Sequence, residues 1–206
     1  MTENRIFCIG RNYAKHIEEL GNAPDSACLV FMKPNSCIVR PGQPLQLPRD
    51  QGAVHHEAEV VVRLSGGGSN IAASQALDCV DAVTLGLDLT LRELQNTLKA
   101  KGAPWELAKA FDGAAPLGDW IEFHGQFDLA AFPIELSING ERRQSGNTRD
   151  LLYPIPRLIE ILSRSWALRP GDVIYTGTPE GVGPVQAGDE LRLHSAPLGE
   201  FVWHAQ

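Results

Sequence analysis

The segment that most constrains how this chain folds is Val54-His55-His56-Glu57-Ala58-Glu59-Val60-Val61-Val62. Its β-branched run reads as strand. Side chains alternate along a strand, so Glu57 and Glu59 share one face and Ala58 points the other way. Two carboxylates on one face of an apolar strand repel each other, and if that face is buried each charge costs several kcal/mol unless something positive sits between them. A hard divalent cation removes the conflict, because Mg²⁺, Mn²⁺ and Ca²⁺ favour oxygen ligands. By itself such a pair is more often the solvated face of an edge strand than a metal site. The same repulsion predicts that neutralising one carboxylate stabilises the metal-free protein.

The other segments decide what surrounds that strand. Ile6–Gly10 reads as a short buried strand, and residues 13–20 have helical character that the turn-forming Gly21-Asn22-Ala23-Pro24-Asp25 would end. On that helix His16 and Glu19 share a face, as a solvated pair or as a dyad in which the carboxylate orients the imidazole. A short helix between loops suits a lid over residues 13–25. Leu29–Met32 is a further strand. The Ser65–Ser69 Ser-Gly cluster lacks the pattern of a phosphate loop. Residues 72–81 read as a helix, and residues 82–90 as a strand buried on both faces. Asp88 is out of place in that strand. It either caps the following helix or joins Glu57 and Glu59 as a third carboxylate. Arg92 and Gln95 share a face of that helix, and Lys109 lies among apolar residues, either reaching water or aimed at an anionic ligand. Asn139-Gly140 marks a type I′ hairpin, residues 156–166 carry a helical stripe, and the loop at 176–184 is either a tight connection or an anion-binding nest. Short strands with scattered helices imply a β-rich α+β fold around a mixed sheet.

With 206 residues, 43% of them hydrophobic, the chain is long enough for one catalytic domain over 1–206. The formal charge of −7 gives no basic footprint for nucleic acid or an anionic membrane, so neither is an expected partner. No apolar run has the length of a membrane span. The four cysteines form no C-x-x-C pair and read as reduced thiols of a cytoplasmic protein.

Taken in order, Gly10-Arg11-Asn12-Tyr13-Ala14-Lys15-His16, Phe31-Met32-Lys33-Pro34, His55-His56-Glu57-Ala58-Glu59, Leu87–Arg92, Ala108–Asp112, Asn139-Gly140-Glu141, Pro170–Ile174 and Thr176-Gly177-Thr178-Pro179 resemble the fumarylacetoacetate hydrolase family. The likeness is to its short single-domain form, the acylpyruvate hydrolases, oxaloacetate decarboxylases and oxaloacetate tautomerases. It implies a mixed β-sheet roll, a homodimer, and Mg²⁺ or Mn²⁺ held by Glu57, Glu59 and Asp88. It implies catalytic roles for His16, Glu19 and Lys109, and substrate contacts from Arg92, Gln95 and Thr178. Leu91 and Glu93 depart from the residues common in the family and bear on pocket shape. The expected reaction is hydrolysis of a C–C bond in a 3-acylpyruvate through a metal-stabilised enolate. Tautomerisation or decarboxylation of oxaloacetate at the same site is the alternative, and the expected partner is a small α-keto acid.

Overall fold

A computed structural model describes residues 3–19 and 28–206. Leu20, the turn at 21–25 and residues 20–25 of the expected lid lie outside the described residues.

The Val60–Val62 run sits near the middle of a six-stranded sheet. Its order is Ile121–Glu122, Val80–Leu87, Ala58–Leu64, Val173–Tyr175, Ile6–Gly10 and Leu29–Lys33. Val173–Tyr175 runs parallel to Ile6–Gly10 while the other described neighbours are antiparallel, so the sheet is mixed, as expected. Both of its faces are covered, which is why the valine run is continuous instead of alternating with polar residues. Val60, Val62, Val83, Leu85 and Phe7 pack into the larger core on one face. Val61, Ile6, Cys8, Val173 and Tyr175 pack on the other. A five-stranded sheet, Glu141–Asn147, Pro133–Ile138, Glu190–Ser195, Gly199–Ala205 and Pro44–Leu45, lends Ile134, Leu136, Leu191, Leu193 and Trp203 to that larger core. The helix Ile155–Ser165 buries Leu158, Ile159 and Leu162 in it. The hairpin turn is as expected, with φ of 52° at Asn139 and 81° at Gly140.

Three elements differ from the sequence reading. The Val54–Val62 stretch is two strands, Val54–His56 and Ala58–Leu64, in different sheets, with Glu57 at the break. There the Glu57 carbonyl accepts from the Asp88 N–H at 2.8 Å, and the Ala58 N–H donates to the Gln144 side chain at 3.0 Å. The expected helix over 72–81 is a 3-10 turn, Ala73–Cys79, running into a strand from Val80. Ala72 offers no side-chain cap at its start. The Cys79 carbonyl is taken instead by the Ser65 and Gly66 N–H groups, which draw the chain into sheet pairing. The following strand accordingly starts earlier than residue 82 and stops at Leu87, leaving Asp88 just past its end.

Candidate metal centre and active-site cavity

Register brings the three carboxylates together. In the antiparallel pair Ala58 stands opposite Leu87 and Glu59 opposite Gly86, so Glu57 and Asp88 meet where the two strands end. One oxygen from each of Glu57, Glu59 and Asp88 lies within 4.8 Å of the other two, and all three residues are buried.

Their counter-charges come from three separate elements. Lys109, the last residue of the helix Glu106–Lys109, donates to Glu57 Oε2 and to Asp88 Oδ2, each at 2.8 Å. It is 2% exposed, so it does not reach bulk water, and its ammonium is shared between the two acids. Arg92 opens the helix Arg92–Ala100, donates from Nη1 to Gln95 Oε1 at 2.6 Å, and pairs through Nη2 with Glu57 Oε1. Lys33 Nζ lies 2.8 Å from Asp88 Oδ1. Its bonds, however, go to the carbonyls of Leu89 (3.2 Å), Ala114 (2.8 Å) and Lys109. Among the described residues Asp88 Oδ1 therefore accepts no hydrogen bond, although it is buried beside a charge. Asp88 does not cap the helix after it, whose N-cap position is Leu91, without a side-chain cap.

The electrostatics of the three acids diverge. Burial pushes the Glu57 carboxyl up, but Lys109 and Arg92 outweigh it and hold the group well below the usual carboxylate range. Burial pushes Glu59 up and the adjacent Asp88 charge pushes it further, leaving it well above that range. Burial pulls Lys109 down, yet Asp88 and Glu57 carry it above the usual lysine value. The donor set fits a hard divalent cation: three buried carboxylates, one oxygen with unused lone pairs, and one acid with no cation of its own.

Eight of the nine site residues expected from the sequence line one cavity of about 260 Å³: His16, Glu19, Glu57, Glu59, Arg92, Gln95, Lys109 and Thr178. Asp88 sits behind it, against Lys109 and Lys33. His16 is buried, not a solvated partner of Glu19; its Nδ1 is 3.4 Å from Glu19 Oε2. The other Glu19 oxygen accepts from the Gly181 N–H at 3.0 Å, joining the helix Ala14–Glu19 to the loop after Val173–Tyr175. That loop uses two amides on the protein's own acids, since the Gly177 N–H donates to Glu59 Oε2 at 2.6 Å. Gly177 has φ of +104°, and a Cβ there would lie 2.7 Å from Asn12 Cβ. Gly177→Ala is expected to cost on the order of 1–3 kcal/mol, read by urea denaturation; a cost below about 0.5 kcal/mol would show that the loop adjusts freely.

The expected residues missed three neighbours. Lys33 ends a strand in a segment that resembled the family but suggested no role by its position. His55 lines the cavity with a buried, unpartnered Nδ1. Gln144 lies in a strand without hydrophobic alternation. No sequence signal marks it.

The model of the fumarylacetoacetate (FAA) hydrolase C-terminal family matches residues 5–204. The chain belongs to the fumarylacetoacetate hydrolase family. Members similar to it carry different activities. Oxaloacetate tautomerase YcgM of Escherichia coli K12 is 42% identical over 193 residues, 92% of this chain and 87% of that one. A mitochondrial oxaloacetate decarboxylase of Dictyostelium discoideum is 37% identical over 93% of this chain and 88% of its own. The crystal structure of fumarylpyruvate hydrolase from Pseudomonas aeruginosa, in complex with Mn²⁺ and pyruvate, superposes with a TM-score of 0.94 at 36% identity, covering 98% of this chain and 89% of that one. The mixed α+β architecture described above is that of the family. Among the described residues no helix is long and apolar enough to cross a membrane.

Proposed function

We propose that this protein is a divalent-metal-dependent tautomerase of a small 2-oxo-dicarboxylate of the oxaloacetate type. The observation that carries the substrate class is the charge balance of the buried acid cluster behind and along the cavity. Three buried carboxylates, Glu57, Glu59 and Asp88, stand against three buried cations, Lys33, Arg92 and Lys109. A bound divalent cation leaves two positive charges in excess in that cluster, and Arg11, Lys99 and Glu19 on the cavity wall add one more, so an anionic keto acid is favoured over a neutral ketone. The 42% identity to the E. coli oxaloacetate tautomerase supports the same choice.

Glu57, Glu59 and Asp88 would hold Mg²⁺ or Mn²⁺, which when bound supplies Lewis-acid polarisation of the keto group. The side chains do the rest. Arg92 and Lys109 neutralise the substrate carboxylates and the charge that develops on the keto oxygen, while Gln95 and Thr178 orient them. His16, with Nδ1 turned to Glu19, keeps Nε2 as the nitrogen that takes a proton from C3; a proton is then delivered to the C2 oxygen, and no bond between heavy atoms breaks. The helix carrying His16 acts as a lid, latched through Glu19 to Gly181. A second reading, hydrolysis of a 3-acylpyruvate, is favoured by that same dyad, which can activate a water, and by the likeness to the Pseudomonas hydrolase.

Protein stripped with EDTA and reloaded with Mg²⁺ or Mn²⁺ is expected to regain tautomerase activity; full activity in the chelated protein would remove the metal from the assignment. NMR of a panel of oxaloacetate and acylpyruvates separates the reactions. C3 proton exchange in oxaloacetate without carbon loss supports tautomerisation. A higher kcat/KM for CO₂ release or for acylpyruvate cleavage replaces it.

A further inference from the structure

The side chain that ties the metal centre to the substrate loop is Gln144. It is the one buried residue of the strand Glu141–Asn147. It faces inward because the pairing with Pro133–Ile138 slips: Ser137 stands opposite Arg142, but Leu136 stands opposite Gln144, so Arg143 is the extra residue of a bulge. Without that slip Arg143 would take the inward place, and a bulge of this kind re-aims a side chain.

Two backbone groups determine which way the amide is turned. The Ala58 N–H can only donate, and it lies 3.0 Å from Gln144 Oε1. The Pro179 carbonyl can only accept, and it lies 2.9 Å from Nε2. His56 Nδ1, 2.9 Å from Oε1, is therefore also a donor. The remaining Nε2 hydrogen goes to Thr178 Oγ1 at 2.8 Å. A hydroxyl that accepts there has its own hydrogen to place elsewhere. Its protein acceptor among the described residues is Pro179 O at 3.5 Å, too long for a good O–H···O bond. Thr178 lines the cavity.

We propose that Gln144 is a positioning residue: it turns the Thr178 hydroxyl into a hydrogen-bond donor toward an oxygen of the bound keto acid, and it holds Ala58 in place between Glu57 and Glu59. This role rests on the keto-acid reading of the site. The physical requirement is direct. A hydroxyl facing an anion must donate, and an unassisted threonine beside a free carbonyl has a competing acceptor. Gln144 occupies both the carbonyl and the hydroxyl lone pair.

The test is a double-mutant cycle on Mn²⁺-loaded protein, with pyruvate affinity read by calorimetry and Mn²⁺ affinity by electron paramagnetic resonance. Gln144→Met keeps the volume and removes every bond. Gln144→Met and Thr178→Val are each expected to weaken pyruvate about tenfold or more, the size of one hydrogen bond to a charged group. The double variant is expected to be weaker than either single by less than threefold, because both remove the same bond. Mn²⁺ affinity is expected to fall in Gln144→Met and to hold in Thr178→Val. Wild-type pyruvate affinity in Gln144→Met, or losses that multiply in the double variant, overturn the proposal. If Gln144→Met does not fold, Gln144→Glu decides, since it keeps the acceptor that Ala58 needs and removes both donors. Its loss of pyruvate affinity is expected to be about tenfold smaller in the Thr178→Val background than in wild type, and equal losses overturn the proposal. Coupling that persists in a protein unable to tautomerise oxaloacetate refutes the proposed reaction alone. Coupling absent from a protein that does tautomerise refutes this role alone.

Discussion

Glu57→Gln is expected to lose Mn²⁺ binding and to become less stable, whereas Glu59→Gln loses the metal but gains stability in its absence. The two residues are neighbours in one acidic cluster, yet their surroundings are opposite. Glu57 carries both Lys109 and Arg92, so removing its charge leaves two cations buried with less compensation. Breaking a buried pair from one side costs about 3–5 kcal/mol. Glu59 has one backbone N–H, from Gly177, and the like charge of Asp88 beside it. A carboxyl whose pKa is raised by folding destabilises the folded state when ionised at neutral pH, and glutamine has no charge to pay for. Asp88→Asn follows Glu57, because Lys33 and Lys109 lean on it. Like-charge repulsion alone would make all three substitutions stabilising, and the ion pairs overturn that for Glu57 and Asp88. Urea denaturation of the chelated variants at neutral pH checks it. Equal shifts for Glu57→Gln and Glu59→Gln would refute the assigned pairing.

His16→Ala is expected to slow tautomerisation by a factor of about 10²–10⁴, the usual worth of a positioned general base. Mn²⁺ affinity stays near wild type, since His16 lies on the helix Ala14–Glu19 and none of the three carboxylates does. Glu19→Ala costs less, because the imidazole survives and only its orientation and the latch to Gly181 are lost. Acylpyruvate cleavage, if present, falls with it, because activating water needs the same nitrogen. Measuring both reactions on one preparation of each variant tells the roles apart. A tautomerisation rate unchanged in His16→Ala would take the proton transfer away from this residue.

Much of the site was legible because its chemistry is written in residue types that apolar surroundings rarely tolerate. Asp88 amid apolar residues and Glu57 and Glu59 beside a valine run announce themselves by the cost of burying charge. His16 with Glu19 and Arg92 with Gln95 are visible through helical spacing, and Asn139-Gly140 through turn chemistry. The resemblance then placed Lys109 and Thr178, which position alone left open. The break at Glu57 was not legible, because the alternation of Val54–Val62 is locally consistent with one continuous strand. It takes the Asp88 N–H and the Gln144 side chain, 31 and 87 positions away by number, to claim the groups on either side of it. Residues 72–81 read as a helix because composition cannot show that the Cys79 carbonyl is captured by Ser65 and Gly66. The sequence by itself pointed to the mixed β-rich fold through its periodicity, and it marked Glu57, Glu59 and Asp88 by the cost of isolated charge. That Asp88 joins the two glutamates and that His16 and Glu19 act as a dyad were implied only by the family resemblance. Only the tertiary structure decided which cation serves which carboxylate, why Glu59 has none, and how a one-residue bulge turns Gln144 instead of Arg143 toward Thr178. Those depend on contacts between elements far apart in the chain, where one step of register exchanges an arginine for a glutamine.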